Sequence, residues 1–169
     1  MGEGPVPGHA GPSSPARRAI EWWALLGGIV LLAIALMTTW SAAGGFFGKP
    51  LPGDFELTEI LVAVAVFAFL PYCQLTDSNV TADLFTAGAG PRAVAGFALF
   101  AALLAVGISV VLAWRTGAGL LDYRQFVETT AILKIPIWSA YVPAVISLVL
   151  LVLACLITLK DAWRALTRR

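Results

Sequence analysis

The sequence IPIWSAYVPAVISLVLLVLACLITL, residues 135–159, runs for 25 positions without an acidic or basic side chain. About 20 apolar residues in a helix cross the roughly 30 Å of hydrocarbon in a bilayer, so this stretch is long enough to span it. A strand of a membrane β-barrel would alternate apolar and polar residues, and this stretch does not. Since only helices and closed barrels satisfy their backbone hydrogen bonds in lipid, the stretch predicts a transmembrane helix.

Three more windows without charged residues lie upstream: Trp22–Gly48, Ile60–Thr76 and Ala93–Trp114, of 27, 17 and 22 residues. The sequence therefore predicts an all-α membrane protein with four transmembrane helices and short interfacial helices. The expected spans are about 20–43, 56–75, 93–114 and 136–159, within one membrane domain of residues 19–169. The composition supports a membrane protein, because 12% of the residues are charged, about half the share in a soluble domain.

Tryptophan placement supports these spans. An indole ring is most stable at the interface between lipid and water. All six tryptophans lie near predicted span ends: Trp22, Trp23, Trp40, Trp114, Trp138 and Trp163.

Several classes of function are disfavoured by composition. The net charge is +1 and no cluster of cations is present, so a nucleic-acid partner is not expected. The single histidine, His9, lies outside the spans, which excludes a pair of histidines for haem. Cys73 and Cys155 lie in apolar segments, where a thiol behaves as a small hydrophobe. With no nucleophile beside a base and no glycine-rich phosphate loop, we expect no enzyme activity and no cofactor.

Residues 1–18 are rich in proline and glycine and predict a disordered cytoplasmic tail. The Arg17–Arg18 pair before a long apolar run resembles an export signal, but the run is too long for a secretory leader. We expect no cleavage. Seven cations flank the spans on the side of the termini and four on the other side, which predicts that both termini are cytoplasmic. The first set is Arg17, Arg18, Arg92, Lys160, Arg164, Arg168 and Arg169, and the second is Lys49, Arg115, Arg124 and Lys134.

The second span carries the most informative polar residues. A Pro-Gly turn precedes Asp54, which predicts an N-cap at Asp54 with acids in the first turn. Glu56 and Glu59 lie three residues apart, on one face of the helix. Both carboxylates either belong to a surface helix start stabilised by the helix dipole, or pair with a cation of a partner subunit. Pro71 predicts a kink near residues 67–70.

Other features concern the third span and the connections. Small residues repeat every three or four positions along the third span and predict close helix packing: Ala98, Ala102, Ala105, Ser109 and Ala113. Short surface helices are predicted at Asn79–Thr86 and within Leu121–Leu133. The centres of the spans hold hydroxyl groups that can bond to their own helix, so no substrate site is expected there.

At this point the chain resembles a known family, the small membrane subunit (DctQ type) of tripartite ATP-independent periplasmic (TRAP) transporters. The resemblance covers most of the chain after Arg17, and Asn79 stands where many relatives carry histidine. The segments that carry it are LPGDFELTE at residues 51–59, LPYCQL at 70–75, NVTADLF at 79–85, ETT at 128–130 and LKIPIW at 133–138.

The resemblance implies a division of labour between three proteins. A periplasmic substrate-binding protein (DctP type) captures an organic acid, and a large membrane subunit (DctM type) imports it with sodium across the bacterial inner membrane. The small subunit then acts as a scaffold. The residues expected to contact the large subunit or fix the loops are Asp54, Glu56, Glu59, Asn79, Asp83 and Arg92. The alternatives are a self-sufficient homo-oligomeric four-span carrier and a membrane assembly factor.

Overall fold

The computed structural model describes residues 15–49, 51–76 and 91–167, with the backbone alone for residues 91–95, 165 and 166. Four helices account for most of them: α1 (Pro15–Phe46), α2 (Asp54–Leu75), α3 (Pro91–Gln125) and α4 (Trp138–Thr167). Each helix is long and apolar enough to cross a membrane. The prediction of an all-α protein with four transmembrane helices is therefore confirmed.

The helices pack side by side rather than around a shared centre. Helix α1 packs on α2, α2 on α4, and α4 on α3, while α1 and α4 touch over a smaller area. Helices α2 and α4 run in one direction and α1 and α3 in the other. At one end, which we call the terminal end, Arg17 of α1 forms an ion pair of 3.2 Å with Asp161 of α4. The opposite end holds the α1–α2 connection and the α3–α4 loop (residues 126–137), and we call it the junction end.

Small residues form close contacts between helices. A Cβ atom placed on Gly27 of α1 would lie 2.8 Å from the Cβ of Ala68 in α2, so the two backbones meet closely there. On α3, Ala102 and Ser109 of the predicted stripe are buried, and Ser109 contacts Cys155 of α4. The stripe therefore packs against α4, although Ala98 at its start is exposed.

The ends of two helices differ from the predicted ones. Helix α1 begins at Pro15, so residues 15–18 of the predicted tail are helical. Proline is well accepted in a first helical turn, and the Ala-Arg-Arg-Ala sequence that follows favours a helix. The interfacial helix predicted within Leu121–Leu133 is wrong: α3 continues to Gln125, and residues 126–137 form a loop with one bridge between Thr129 and Pro136. The β-branched Val127, Thr129 and Thr130 favour this extended conformation.

Two further predictions, the kink at Pro71 and the surface helix after α2, stay predictions. Helix α2 runs through Pro71 without a break, and the side chain of Pro71 is buried. The kink itself stays a prediction. The predicted surface helix Asn79–Thr86 and residues 1–14 of the predicted tail lie outside the described residues.

A polar bond between α1 and α4 supplies a first testable prediction. The indole N–H of Trp23 donates to Ser147 Oγ at 2.9 Å, and the Ser147 hydroxyl donates to the Pro143 carbonyl at 2.8 Å. Ser147 is completely buried. In a double-mutant cycle of Trp23→Phe and Ser147→Ala, we expect a coupling free energy of about 0.6 kcal/mol, the average for such bonds in membrane helices. Unfolding in detergent measures it, and a coupling of zero would show that the bond contributes nothing.

Candidate subunit-contact site

The structure separates the six residues predicted for subunit contacts. Asp54, Glu56 and Glu59 lie together in the first turns of α2 at the junction end. Arg92 lies in the first turn of α3, at the terminal end, where the structure describes its backbone alone. Asn79 and Asp83 lie outside the described residues. A single site made of all six is therefore not seen in the part of the chain that the structure describes.

The start of α2 differs from the prediction by one residue. Gly53 occupies the N-cap with a φ of 78°, and its position is not capped by a side chain. The prediction of Asp54 as the N-cap is therefore wrong. The turn before the helix needs a residue in the left-handed conformation, which glycine adopts without strain. Asp54 is instead the first helical residue, and with Glu56 it places acids in the first turn, as predicted.

Asp54 connects α2 to the end of α1. Its Oδ2 accepts a hydrogen bond from the hydroxyl of Ser41, a buried residue near the end of α1. Ser41 Oγ in turn accepts from the backbone N–H of Leu51 at 3.3 Å. The other oxygen, Oδ1, accepts from the N–H of Phe55 at 2.7 Å. Asp54 therefore fixes the α1–α2 connection from within the chain.

Glu56 fixes the α3–α4 loop in a similar way. Its two carboxylate oxygens accept the backbone N–H groups of Ile132 at 2.8 Å and Leu133 at 3.0 Å. The loop also closes on itself, with the N–H of Thr130 donating to the Ile135 carbonyl at 2.9 Å. Lys134, beside the two donors, has a φ of 55°, in the left-handed region. A carboxylate that accepts two N–H groups of one turn holds that turn more strongly than a neutral acceptor would.

A close apolar contact lies next to these bonds. The side chain of Leu133 covers Gly53, where an added Cβ would lie 2.5 Å from Leu133 Cγ. Sequence reasoning missed Gly53, Leu133 and Ser41 as members of this site. The position of Gly53 in a turn before a helix could have marked it as structurally important. No local sequence pattern links it to Leu133, 80 residues later.

The bonds to Glu56 give a second prediction. In Glu56→Gln, the amide offers one acceptor oxygen in place of two charged ones, so the N–H groups of Ile132 and Leu133 lose their shared partner. We expect their hydrogen exchange to become about tenfold faster or more. Glu59→Gln is the matched control and should leave exchange in the loop unchanged. Equal protection in Glu56→Gln and the unaltered chain would contradict the role given to Glu56.

Glu59 differs from the two other acids. It lies one turn deeper in α2 and is exposed, and its carboxylate has no hydrogen bond or ion pair with any residue that the structure describes. Asp54 and Glu56 fix loops, whereas the Glu59 carboxylate remains available to another molecule.

Five hydroxyl groups within the spans donate to backbone carbonyls of their own helices. Thr39 donates to the Ala35 carbonyl at 2.7 Å, and Thr158 to that of Cys155 at 3.0 Å. Thr38, Ser109 and Ser147 make bonds of the same kind. Over the described ranges, no three histidine, cysteine or acidic residues come together as metal ligands would. These hydroxyls already have partners and are poor ligands for an ion or substrate.

Large apolar side chains cover the outer faces of the row. Along α1 they repeat with helical spacing at Leu25, Ile29, Leu32 and Leu36, each more than half exposed. On α3, at the other edge, the exposed set includes Phe97, Phe100, Leu104, Ile108 and Val111. Such faces are stable only against lipid or another membrane protein.

The fold and these residues define a multi-pass helical membrane protein that offers contact surface rather than ligand groups in its described part. Residues 34–166 match the family model described as "Tripartite ATP-independent periplasmic transporters, DctQ component". The match covers most of the chain, so the chain belongs to this family and is the small membrane subunit of a TRAP transporter. No curated protein and no solved structure gave a match.

Proposed function

We propose that this subunit is a stationary scaffold for the large, sodium-coupled membrane subunit (DctM type) of a transporter that imports an organic acid. A periplasmic protein (DctP type) delivers the acid. The complex lies in the bacterial inner membrane, with both termini of this chain in the cytoplasm, as its distribution of cations favours.

The observation that carries the proposal is a contrast: the outer faces of the helices are apolar and exposed, whereas hydroxyl groups in the spans donate to carbonyls of their own helices. Four helices packed in a row leave most of their surface to the outside, and between 11% and 28% of each apolar window is buried within the chain. A carrier must replace the hydration shell of its ion or substrate with protein ligands at membrane depth. A scaffold needs contact area instead, and this chain supplies contact area.

Glu59 extends the proposal to a specific contact. An exposed carboxylate at the edge of the membrane is costly beside hydrocarbon and is stabilised by a cation. We assign that cation to the large subunit, which would place the contact on the exposed face of α2 that carries Glu59. Because the Glu59 carboxylate has no hydrogen bond or ion pair with a described residue, it has no described role in holding the α3–α4 loop.

Co-purification tests this contact. The tagged full chain and the large subunit are co-expressed, and the amount of large subunit retained per small subunit is measured. For Glu59→Lys we expect a loss of about tenfold, since an attractive charge pair becomes a repulsive one. Glu21→Lys, which reverses an exposed acid at the terminal end of α1, is the control and should retain the partner. Full retention in Glu59→Lys would contradict the contact, and no retention of the large subunit by the unaltered chain would contradict the scaffold.

The competing functions give different results in the same preparation. A self-sufficient homo-oligomeric carrier would form a stable assembly without the large subunit, visible by light scattering. An assembly factor would be dispensable after assembly, so uptake by the purified complex would survive its removal. A scaffold predicts that the large subunit loses stability when this chain is absent.

A further inference from the structure

A groove opens between α3 and α4 near the junction end. Its volume is about 300 Å³, and five residues line it: Arg115, Thr116, Gly119, Asp122 and Tyr141. We call it the Arg115 groove. Its walls are mostly polar, whereas the neighbouring exposed surfaces of α3 are apolar. This contrast makes the groove a candidate for a ligand with charged groups.

Arg115 lies about one helical turn closer to the centre of the membrane than Gly119. A Cβ on Gly119 would be 3.3 Å from Tyr141 Cε1, which places these two residues at the same level. Because the helices are antiparallel and rise 1.5 Å per residue, Arg115 is about 6 Å deeper than Tyr141 and level with Val145. Helix α4 carries no charge between its start at Trp138 and Lys160. The backbone of Arg115 therefore lies at a level at which the adjacent helix is apolar, and its side chain is exposed.

Both charges of the groove lack partners within the described chain. Arg115 makes no ion pair or hydrogen bond through its side chain, and the same holds for the carboxylate of Asp122. Arg115 directly follows Trp114 at the end of the apolar window, and a cation at this edge of the membrane is stabilised by an anion. A phosphate suits it, since the planar guanidinium donates two parallel hydrogen bonds to such an oxygen pair.

The order of residues along this face of α3 indicates which phosphate. Ile108 and Val111 are each 60% exposed and lie deepest, followed outward by Arg115 and then Asp122. Their spacings of three, four and seven residues keep them on one face. From the membrane centre outward, the face thus presents apolar surface, a cation and an anion. A phospholipid presents acyl chain, phosphate and a headgroup amine in the same order.

We propose that the Arg115 groove binds a phospholipid whose phosphate is followed by a primary ammonium group, as in an ethanolamine headgroup. The phosphate lies against Arg115 and the Thr116 hydroxyl, and the ammonium against Asp122. Gly119, between them, has no side chain and leaves room for the headgroup, while the Tyr141 ring forms one wall. An acidic residue of a partner subunit would satisfy Arg115 but would be repelled by Asp122, so the two charges together favour the lipid.

Native mass spectrometry of the purified full chain tests this site. Equimolar phosphatidylethanolamine and phosphatidylglycerol are added in detergent, and the lipid retained on each variant is counted. We expect the unaltered chain to retain the ethanolamine lipid preferentially. Arg115→Gln should lower retention of both lipids by about tenfold, as for loss of a charge-assisted contact. Asp122→Asn should keep the total but abolish the preference.

Controls separate this site from other sources of binding. Lys49→Gln removes an exposed cation of the α1–α2 connection and should change nothing. Inorganic phosphate at millimolar concentration should not displace the lipid, and displacement would show a free-anion site instead. Equal retention by Arg115→Gln and the unaltered chain would overturn the proposal, as would an unchanged preference in Asp122→Asn. Loss of the lipid on addition of the large subunit would assign the groove to a protein contact and overturn it too. These results do not depend on transport, so they are separable from the scaffold role.

Discussion

Gly27→Leu should separate α1 from α2 and destabilise the chain by about 2 kcal/mol, within the usual range for overpacking a tight contact. Even the first atom of a side chain at Gly27 would lie 2.8 Å from Ala68 Cβ, and the backbone carbonyl of Ala65 is 3.5 Å away. The larger leucine has no space to turn aside, so the helices must move apart. Close backbone approach is a main source of stability between membrane helices, and this contact is where α1 joins the row.

Gly28→Leu is a control on the adjacent residue. A Cβ at Gly28 meets nothing within 4 Å, so a leucine there points outward. Both substitutions replace glycine with the same good helix former, and the gain in helix propensity is therefore shared. Thermal unfolding in one detergent should show a lower midpoint for Gly27→Leu than for Gly28→Leu. Equal midpoints would show that the α1–α2 contact is not tight at Gly27.

Gly53→Ala is expected to have the second large effect, because two costs add. The φ of 78° strains any residue with a Cβ, at about 1 kcal/mol or more. The new Cβ would also lie 2.5 Å from Cγ of Leu133, so the α3–α4 loop must shift away from α2. We expect a total loss of about 2 to 4 kcal/mol and faster hydrogen exchange at the loop amides held by Glu56.

Gly48→Ala separates the two costs. Gly48 has a similar φ of 71°, but nothing lies within 4 Å of its added Cβ, so the variant carries the backbone strain alone. The difference between the two variants measures the collision with Leu133. In the background of Leu133→Ala that difference should shrink, since the collision is with the leucine side chain. A difference that stays the same in this background would contradict the packing described for Leu133.

The four spans were predictable because each is a long window without charged residues. A helix that crosses lipid requires mainly length and an apolar sequence. The small-residue stripe on α3 was also visible, since its spacing of three and four is a local property. The end of α3 was not. The sequence predicts an interfacial helix within residues 121–133, whereas residues 121–125 continue α3 and the β-branched residues after Phe126 favour an extended loop.

The junction end was beyond sequence reasoning for a different reason. The acids of α2 were recognised, but their partners lie far away along the chain: 76 residues separate Glu56 from Ile132. Backbone N–H groups are the same in every residue, so no side-chain pattern marks Ile132 and Leu133 as donors. Contact with the large subunit and fixing of a loop are both predicted roles for Glu56, and its carboxylate accepts two hydrogen bonds from the α3–α4 loop.

These contacts suit a stationary role. Asp54 and Glu56 attach both neighbouring connections to the start of α2, and Leu133 packs on Gly53 between them. The junction end is thus held by several independent bonds rather than by one hinge. A scaffold against which another subunit moves benefits from such rigidity, because its contact surface must keep its shape while the other subunit moves.

Transport by purified components tests the scaffold role most directly. Proteoliposomes are prepared with this chain alone, with the large subunit alone and with both, and are supplied with the periplasmic binding protein, a labelled organic acid and an inward sodium gradient. We expect uptake when both membrane subunits are present, and none above empty liposomes with this chain alone. Sodium-dependent uptake by this chain alone would contradict the scaffold role, since it would require a substrate site within these four helices.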